Sequence, residues 1–163
     1  MKKLLSILSV CLVFVSYSQN RVHIKDLVRS SSTLYYRGEL FTGIFYEVHD
    51  NSQLAFEVTV ANGKNNGLAQ RWYENGQLKT KVYSKDNLLE GLGQEWYENG
   101  QLKFEGFFRD NKQDGLWKEW YSNGQLKSAG NFKDGEQDGL HQEWDENGRL
   151  IEESNWNDGV RLD

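Results

Sequence analysis

The chain of 163 residues contains no proline, one cysteine and three histidines, and each shortage narrows what it can be. Without proline there is no proline-rich linker or tail, and the 16 glycines speak for many tight reversals. The only cysteine, Cys11, falls in a leader expected to be removed, so the rest of the chain has neither disulfides nor thiolate chemistry and is held by packing. His23, His49 and His141 are scattered, and none has a second His or Cys at metal-ligand spacing. Long apolar runs are also missing. The longest, residues 4–15, falls short of the roughly 20 residues a membrane span needs.

That short run reads as an export signal. Lys2 and Lys3 precede it, and Ser16 and Ser18 supply small residues where a signal peptidase cuts, so residues 1–18 are expected to be a signal peptide with cleavage before Gln19. The expected destination is the periplasm or the medium, with no stable membrane insertion. Loss of Lys2 and Lys3 leaves 17 basic against 24 acidic residues, a formal charge of −7. Nucleic acid and anionic membrane are poor partners for such a chain, since both are recognised through Lys and Arg.

What is abundant is repetition. Glycine recurs at Gly67, Gly91, Gly115 and Gly139, tryptophan at Trp72, Trp96, Trp120 and Trp144, and an Asn-Gly pair begins at Asn75, Asn99, Asn123 and Asn147. A weaker copy starts at Gly43, so units begin at residues 43, 67, 91, 115 and 139, a period of 24. A fixed period in this range marks a repeat architecture. Residues 34–42 match the back half of a unit and are expected to open the array, while residues 19–33 form a polar lead-in.

Each Asn-Gly, flanked by alternating apolar and polar residues, predicts a hairpin turn. A two-residue loop would set Tyr97 opposite Leu102 and mix both faces; a three-residue loop, Glu98-Asn99-Gly100 with Gly100 left-handed, sets Trp96 opposite Leu102. That choice puts Glu95 opposite Lys103 and gathers Leu92, Trp96, Leu102, Phe104 and Phe108 on one face. With further polar turns between hairpins and no helical period, the expected fold is all-β: an elongated, twisted antiparallel β-meander of hairpin repeats, advancing about 10 Å per unit.

The faces suggest roles. Trp72, Trp96, Trp120 and Trp144, aligned with Leu78, Leu102, Leu126 and Leu150, are expected to form an apolar spine joining repeat to repeat. Tyr73, Tyr97 and Tyr121 fall in a row on the other face, where evenly spaced tyrosines can serve as a recognition surface. A single sheet has nothing obvious over its apolar face, so the sheet curls over it, pairs with a second copy as a homodimer, or receives a partner there. Glu95, Glu119 and Glu143 recur at one strand position and form a ladder, not a converging acid and base. Asp134, Glu136, Asp138 and Asp145 approach calcium-loop spacing, but Lys112 stands at the place of Glu136 in the preceding copy and the repeat already explains the glycine. No cofactor, metal or catalytic residue is expected.

The repeat Gly-Leu-x-x-x-Trp-Tyr-x-Asn-Gly-Gln-Leu-Lys resembles the MORN-type repeat, in the bacterial variant with Tyr-x-Asn-Gly-x-Leu at its centre, over residues 34–163. The resemblance implies a non-catalytic scaffold that docks protein or lies against membrane, and for the bacterial group an antitoxin- or immunity-like role. An exported chain departs from the usual cytoplasmic antitoxin. A cell-wall or glycan binder is the alternative, since spaced Trp and Tyr flanked by Asn and Gln can stack on sugar rings.

Overall fold

A computed structural model describes residues 20–163; the expected leader, with Cys11 and Gln19, lies outside the described residues. Strand β1 (Arg21–His23) leads through a short 3-10 turn into a small antiparallel sheet of β2 (Val28–Ser30), β3 (Thr33–Tyr36) and β4 (Glu39–Leu40). Residues 34–42 therefore do not open the array as a half unit; they lie in a separate sheet, joined to the first base turn where Leu34 N–H donates to the Gly63 carbonyl (2.8 Å). The alternating apolar pattern specifies a strand, but it carries no information about which sheet that strand joins.

The array follows as successive hairpins: β5 (Gly43–Val48) with β6 (Leu54–Ala61), β7 (Lys64–Trp72) with β8 (Leu78–Lys85), and β10 (Gly91–Trp96) with β11 (Leu102–Arg109). Then come β12 (Lys112–Trp120) with β13 (Leu126–Lys133) and β14 (Glu136–Trp144) with β15 (Leu150–Asn157). Two short strands, β9 (Leu88–Leu89) and β16 (Val160–Arg161), complete it. All pair antiparallel in chain order except that β9 pairs only with β8, which pairs onward with β10, while β1 returns to pair parallel with β5. The expected meander is what is found.

Each unit reverses twice. At the tip, Gly100 N–H donates to the Tyr97 carbonyl (2.9 Å) and Tyr97 N–H to Gln101 (2.8 Å), closing the three-residue loop with Gly100 at φ 85°. That left-handed position is why glycine follows asparagine there. At the base, Asp110 and Asn111 both take positive φ, 50° and 69°, in a two-residue turn matching the twist of the strands. Trp96 does oppose Leu102, but the register shifts between Glu95 and Trp96, so that Glu95 opposes Phe104 and Lys103 is an extra residue in a β-bulge. The shift recurs at Trp72, Trp120 and Trp144.

The bulge corrects the predicted faces. Leu92, Trp96 and Leu102 stay together, but Phe104 and Phe108 cross to the other side with Glu95 and Tyr97. There Trp117 stacks on Phe104 (4.8 Å, 16°) and meets Phe108 and Phe132 edge-on. Trp117 lies over Gly106, where a Cβ would collide with the indole, so the missing side chain makes room for the ring. Over the first units this aromatic face is closed by the small sheet: Leu34 and Phe41 pack with Val22, Phe45 and Val60 into the one cluster of buried apolar side chains among the described residues. Among the described residues nothing similar covers the opposite side, the leucine face.

Candidate docking surface

Tyr73, Tyr97 and Tyr121 form a row on the aromatic face, but they are half-buried and their hydroxyls are engaged. Tyr73 donates to the Trp96 carbonyl (2.8 Å), Tyr97 to Trp120 (2.8 Å) and Tyr121 to Trp144 (2.9 Å), each reaching one unit ahead. In the first unit His49 takes this place, its Nε2 3.0 Å from the Trp72 carbonyl. In the last, Asp145 replaces the tyrosine and turns inward, accepting from the N–H groups of Asn147 and Arg149 (both 2.9 Å). These tyrosines hold units together, which leaves their rings less surface to offer than the predicted exposed row had.

The tip asparagines do the same. Asn75, Asn99 and Asn123 donate to the Glu98, Ser122 and Glu146 carbonyls at 3.1, 2.9 and 3.0 Å, while each side-chain oxygen accepts from the N–H two residues on. A side chain that both closes its own turn and bonds the next explains why asparagine stands at this position.

Charge on this face is largely paired. Lys103 meets Glu95 at 2.7 Å, the cross-strand pair predicted, and Lys127 meets Glu119 at 3.4 Å in the next unit, although the bulge keeps each pair from being directly opposed. The hydrogen bond to Glu95 raises the Lys103 ammonium above its ordinary pKa. Burial, and next the Glu95 carboxylate, raise the Tyr73 phenol, which keeps it a donor. Arg71 and Lys79, a like-charged pair in the same register positions, are separated: Arg71 lies over the Phe56 ring (5.9 Å) and Lys79 over Tyr73 (5.1 Å).

The leucine face is built in three columns running across the strands. Trp72, Trp96, Trp120 and Trp144 oppose Leu78, Leu102, Leu126 and Leu150 near the tips, all half-buried except the exposed Leu150. Nearer the base, Leu68 opposes Tyr83, Leu92 opposes Phe107, Leu116 opposes Asn131 and Leu140 opposes Asn155. In this column Tyr83, Phe107, Leu116 and Leu140 are 44, 48, 42 and 42% exposed. Between the two runs a polar column containing Lys81, Glu105, Lys118 and Glu153. Leu92, Glu105, Phe107, Leu116 and Lys118 enclose a shallow hollow of about 160 Å³.

The base column is absent from the sequence-based expectation. Its signal was the second residue of each unit, Leu68, Leu92, Leu116 and Leu140, recurring as faithfully as tryptophan.

One further cluster has the residue types of a hydrolase. His141 opposes Ser154, and its Nε2 lies 3.2 Å from Glu143. Ser154 is fully buried, however, and its hydroxyl accepts from the Trp156 indole (3.0 Å), while Gln137 contacts His141 Nδ1 (3.3 Å). A substrate has no path to that oxygen. Among the described residues no group of three or more His, Cys, Asp or Glu is placed to hold a metal ion, and no helix is long and apolar enough to cross a membrane.

A linear stack of hairpins, bonded unit to unit and carrying a continuous column of tryptophan and leucine, defines the class: a β-hairpin repeat protein. The chain belongs to the MORN repeat variant family, which it matches over residues 65–86, 89–110, 113–134 and 137–158. These are four of the five units; the copy beginning at Gly43, which lacks the tryptophan, lies outside the matches. Among curated proteins nothing matches the chain.

Proposed function

We propose that the protein is an exported, non-catalytic scaffold that docks another protein on its leucine face. The observation that carries this is the column of Tyr83, Phe107, Leu116 and Leu140, four large apolar side chains aligned and exposed on one side of a rigid sheet. Scattered apolar side chains on a surface need no explanation, whereas large ones recurring in one column, here interrupted only at Asn131, mark an interaction site. A polypeptide fits this row better than a glycan does: two of its four members are aliphatic, which gives a sugar ring no flat aromatic platform. Export is supported by the basic, apolar and small-residue succession of residues 1–18.

A photoreactive residue placed at Leu116 in the producing cell tests the docking surface, with the same residue at Phe104 on the aromatic face as control. Adducts to polypeptide from position 116 alone are expected. Absence of such adducts, together with retention of the protein on purified wall polysaccharide, would replace the scaffold reading with the glycan one. N-terminal sequencing of protein recovered outside the cytoplasm should begin at Gln19, and a chain found only inside would overturn export.

A further inference from the structure

Resting on the reading of the leucine face as a protein dock, we propose that its occupant is a second copy of this chain, related by a two-fold axis that lies in the interface, parallel to the strands. The argument comes from the polar column. Lys118 and Glu105 are directly opposed on neighbouring strands, yet they form no ion pair with each other. Glu105 is held by the Gln94 amide (3.3 Å), and Glu153 in the same way by Gln142 (2.7 Å). Lys81 and Lys118 have no hydrogen-bonded or ion-pair partner among the described residues. The column thus presents cation, anion, cation and anion at Lys81, Glu105, Lys118 and Glu153, on a face with apolar columns to either side.

An isologous contact requires each patch to complement itself. With the axis between β11 and β12, the strand order exchanges β11 with β12, β10 with β13, β8 with β14 and β7 with β15. Glu105 then meets Lys118 of the second copy, and Lys118 meets its Glu105. Each apolar column meets its own counterpart: Phe107 meets Leu116, Leu102 meets Trp120, Tyr83 meets Leu140 and Leu78 meets Trp144. Two other placements join opposite charges, an axis on β10 (Lys81 with Glu105) and one between β13 and β14 (Lys118 with Glu153), but each leaves one member of the central pair, Lys118 or Glu105, without a partner of opposite charge. An axis on β11 or on β12 sets Glu105 or Lys118 against itself, and one between β10 and β11 sets Lys81 against Lys118. Face-to-face sheets pack with strand directions within about 30°, which the two-fold allows.

Sedimentation equilibrium of the mature chain and its charge variants tests this. The native chain is expected to run as a dimer. Lys118→Glu and Glu105→Lys, each juxtaposing like charges, are expected to weaken self-association roughly tenfold or more. Mixed in equal amounts, the two variants should restore a dimer, since one copy then carries two acids where the other carries two bases. Recovery on mixing also shows that both variants fold. A native chain that stays monomeric, or a dimer indifferent to both variants, would overturn the second-copy inference. The photoreactive residue at position 116 separates the two readings: adducts to a different polypeptide would remove the second copy but keep the dock, and no polypeptide adduct would remove both.

Discussion

The two ends of this molecule are stabilised in different ways. At the N-terminal end a small sheet closes over the first hairpins, and Val22, Leu34, Phe41, Phe45 and Val60 are buried as in any globular core. Beyond Val60 no large apolar side chain among the described residues is fully buried, and the wholly buried residue there is Ser154. The later units rely on many half-buried aromatics, a continuous hydrogen-bonded ladder, and the tyrosine and asparagine bonds that run from unit to unit. A repeat cannot bury a face alone, so it depends on its neighbours, whereas the N-terminal end has made itself an interior. The contrast shows that a period in sequence is no guarantee of a uniform distribution of stability.

The contrast can be broken most sharply at Phe41. Phe41→Ala should remove about 3–5 kcal/mol by emptying a buried site, and urea unfolding should show it. A loss under about 1 kcal/mol would mean the small sheet is not part of the cooperative unit. Next is Gly106→Ala in the later units, where a single methyl displaces the Trp117 ring and should cost about 1–3 kcal/mol, visible in a lower melting temperature and altered near-ultraviolet circular dichroism. A neutral result would show that Trp117 does not hold its place on Gly106.

Smaller again is Tyr97→Phe, which deletes only the bond to the Trp120 carbonyl and should cost about 0.5–1.5 kcal/mol. Hydrogen exchange should report faster opening of the units beyond it, with the buried end unchanged; uniform loss of protection would place both ends in one cooperative block. The slightest effect is expected at Asp163, whose carboxyl is held below its ordinary pKa first by the Asn155 backbone N–H. A depressed carboxylate stabilises above its unfolded pKa and loses that contribution as pH falls through the folded one. The stability difference between native protein and Asp163→Asn should therefore be present at neutral pH and vanish in acid; a difference that persists there would assign it to something other than this charge.

Much of this was legible in the chain. The period, the two reversals per unit, the three-residue tip loop and the Trp96–Leu102 opposition all follow from turn chemistry and alternation, which are local. The bulge at Lys103 was not, because an extra residue in a strand changes which side every later side chain takes without changing the pattern itself. A clue was present in Gly106 and Gly130: a strand position without a side chain makes sense once a large ring from the facing strand lies over it. The tyrosine bonds were not legible because their acceptors are backbone carbonyls, which no residue type marks. The exceptions at the ends, His49 and Asp145, were the visible trace of that bond. The small sheet could not be foreseen, since its contacts with the turn at Gly63 are long in sequence and made largely by main chain.

The side-chain bonds at the tips all point the same way along the stack, from one unit to the one that follows, and every internal unit both gives and receives the same pair. Such units are interchangeable at the level of the gene. Duplication or loss of a 24-residue segment within the array, the usual product of unequal recombination between similar stretches of DNA, would leave no donor or acceptor stranded, because each new junction repeats an old one. The first and last copies, with His49 and Asp145 where the others carry tyrosine, cannot be exchanged in this way. The array can thus change its reach by whole units while its two ends stay fixed, so that a lineage could alter the length of its contact surface in one genetic step without having to fold anything new.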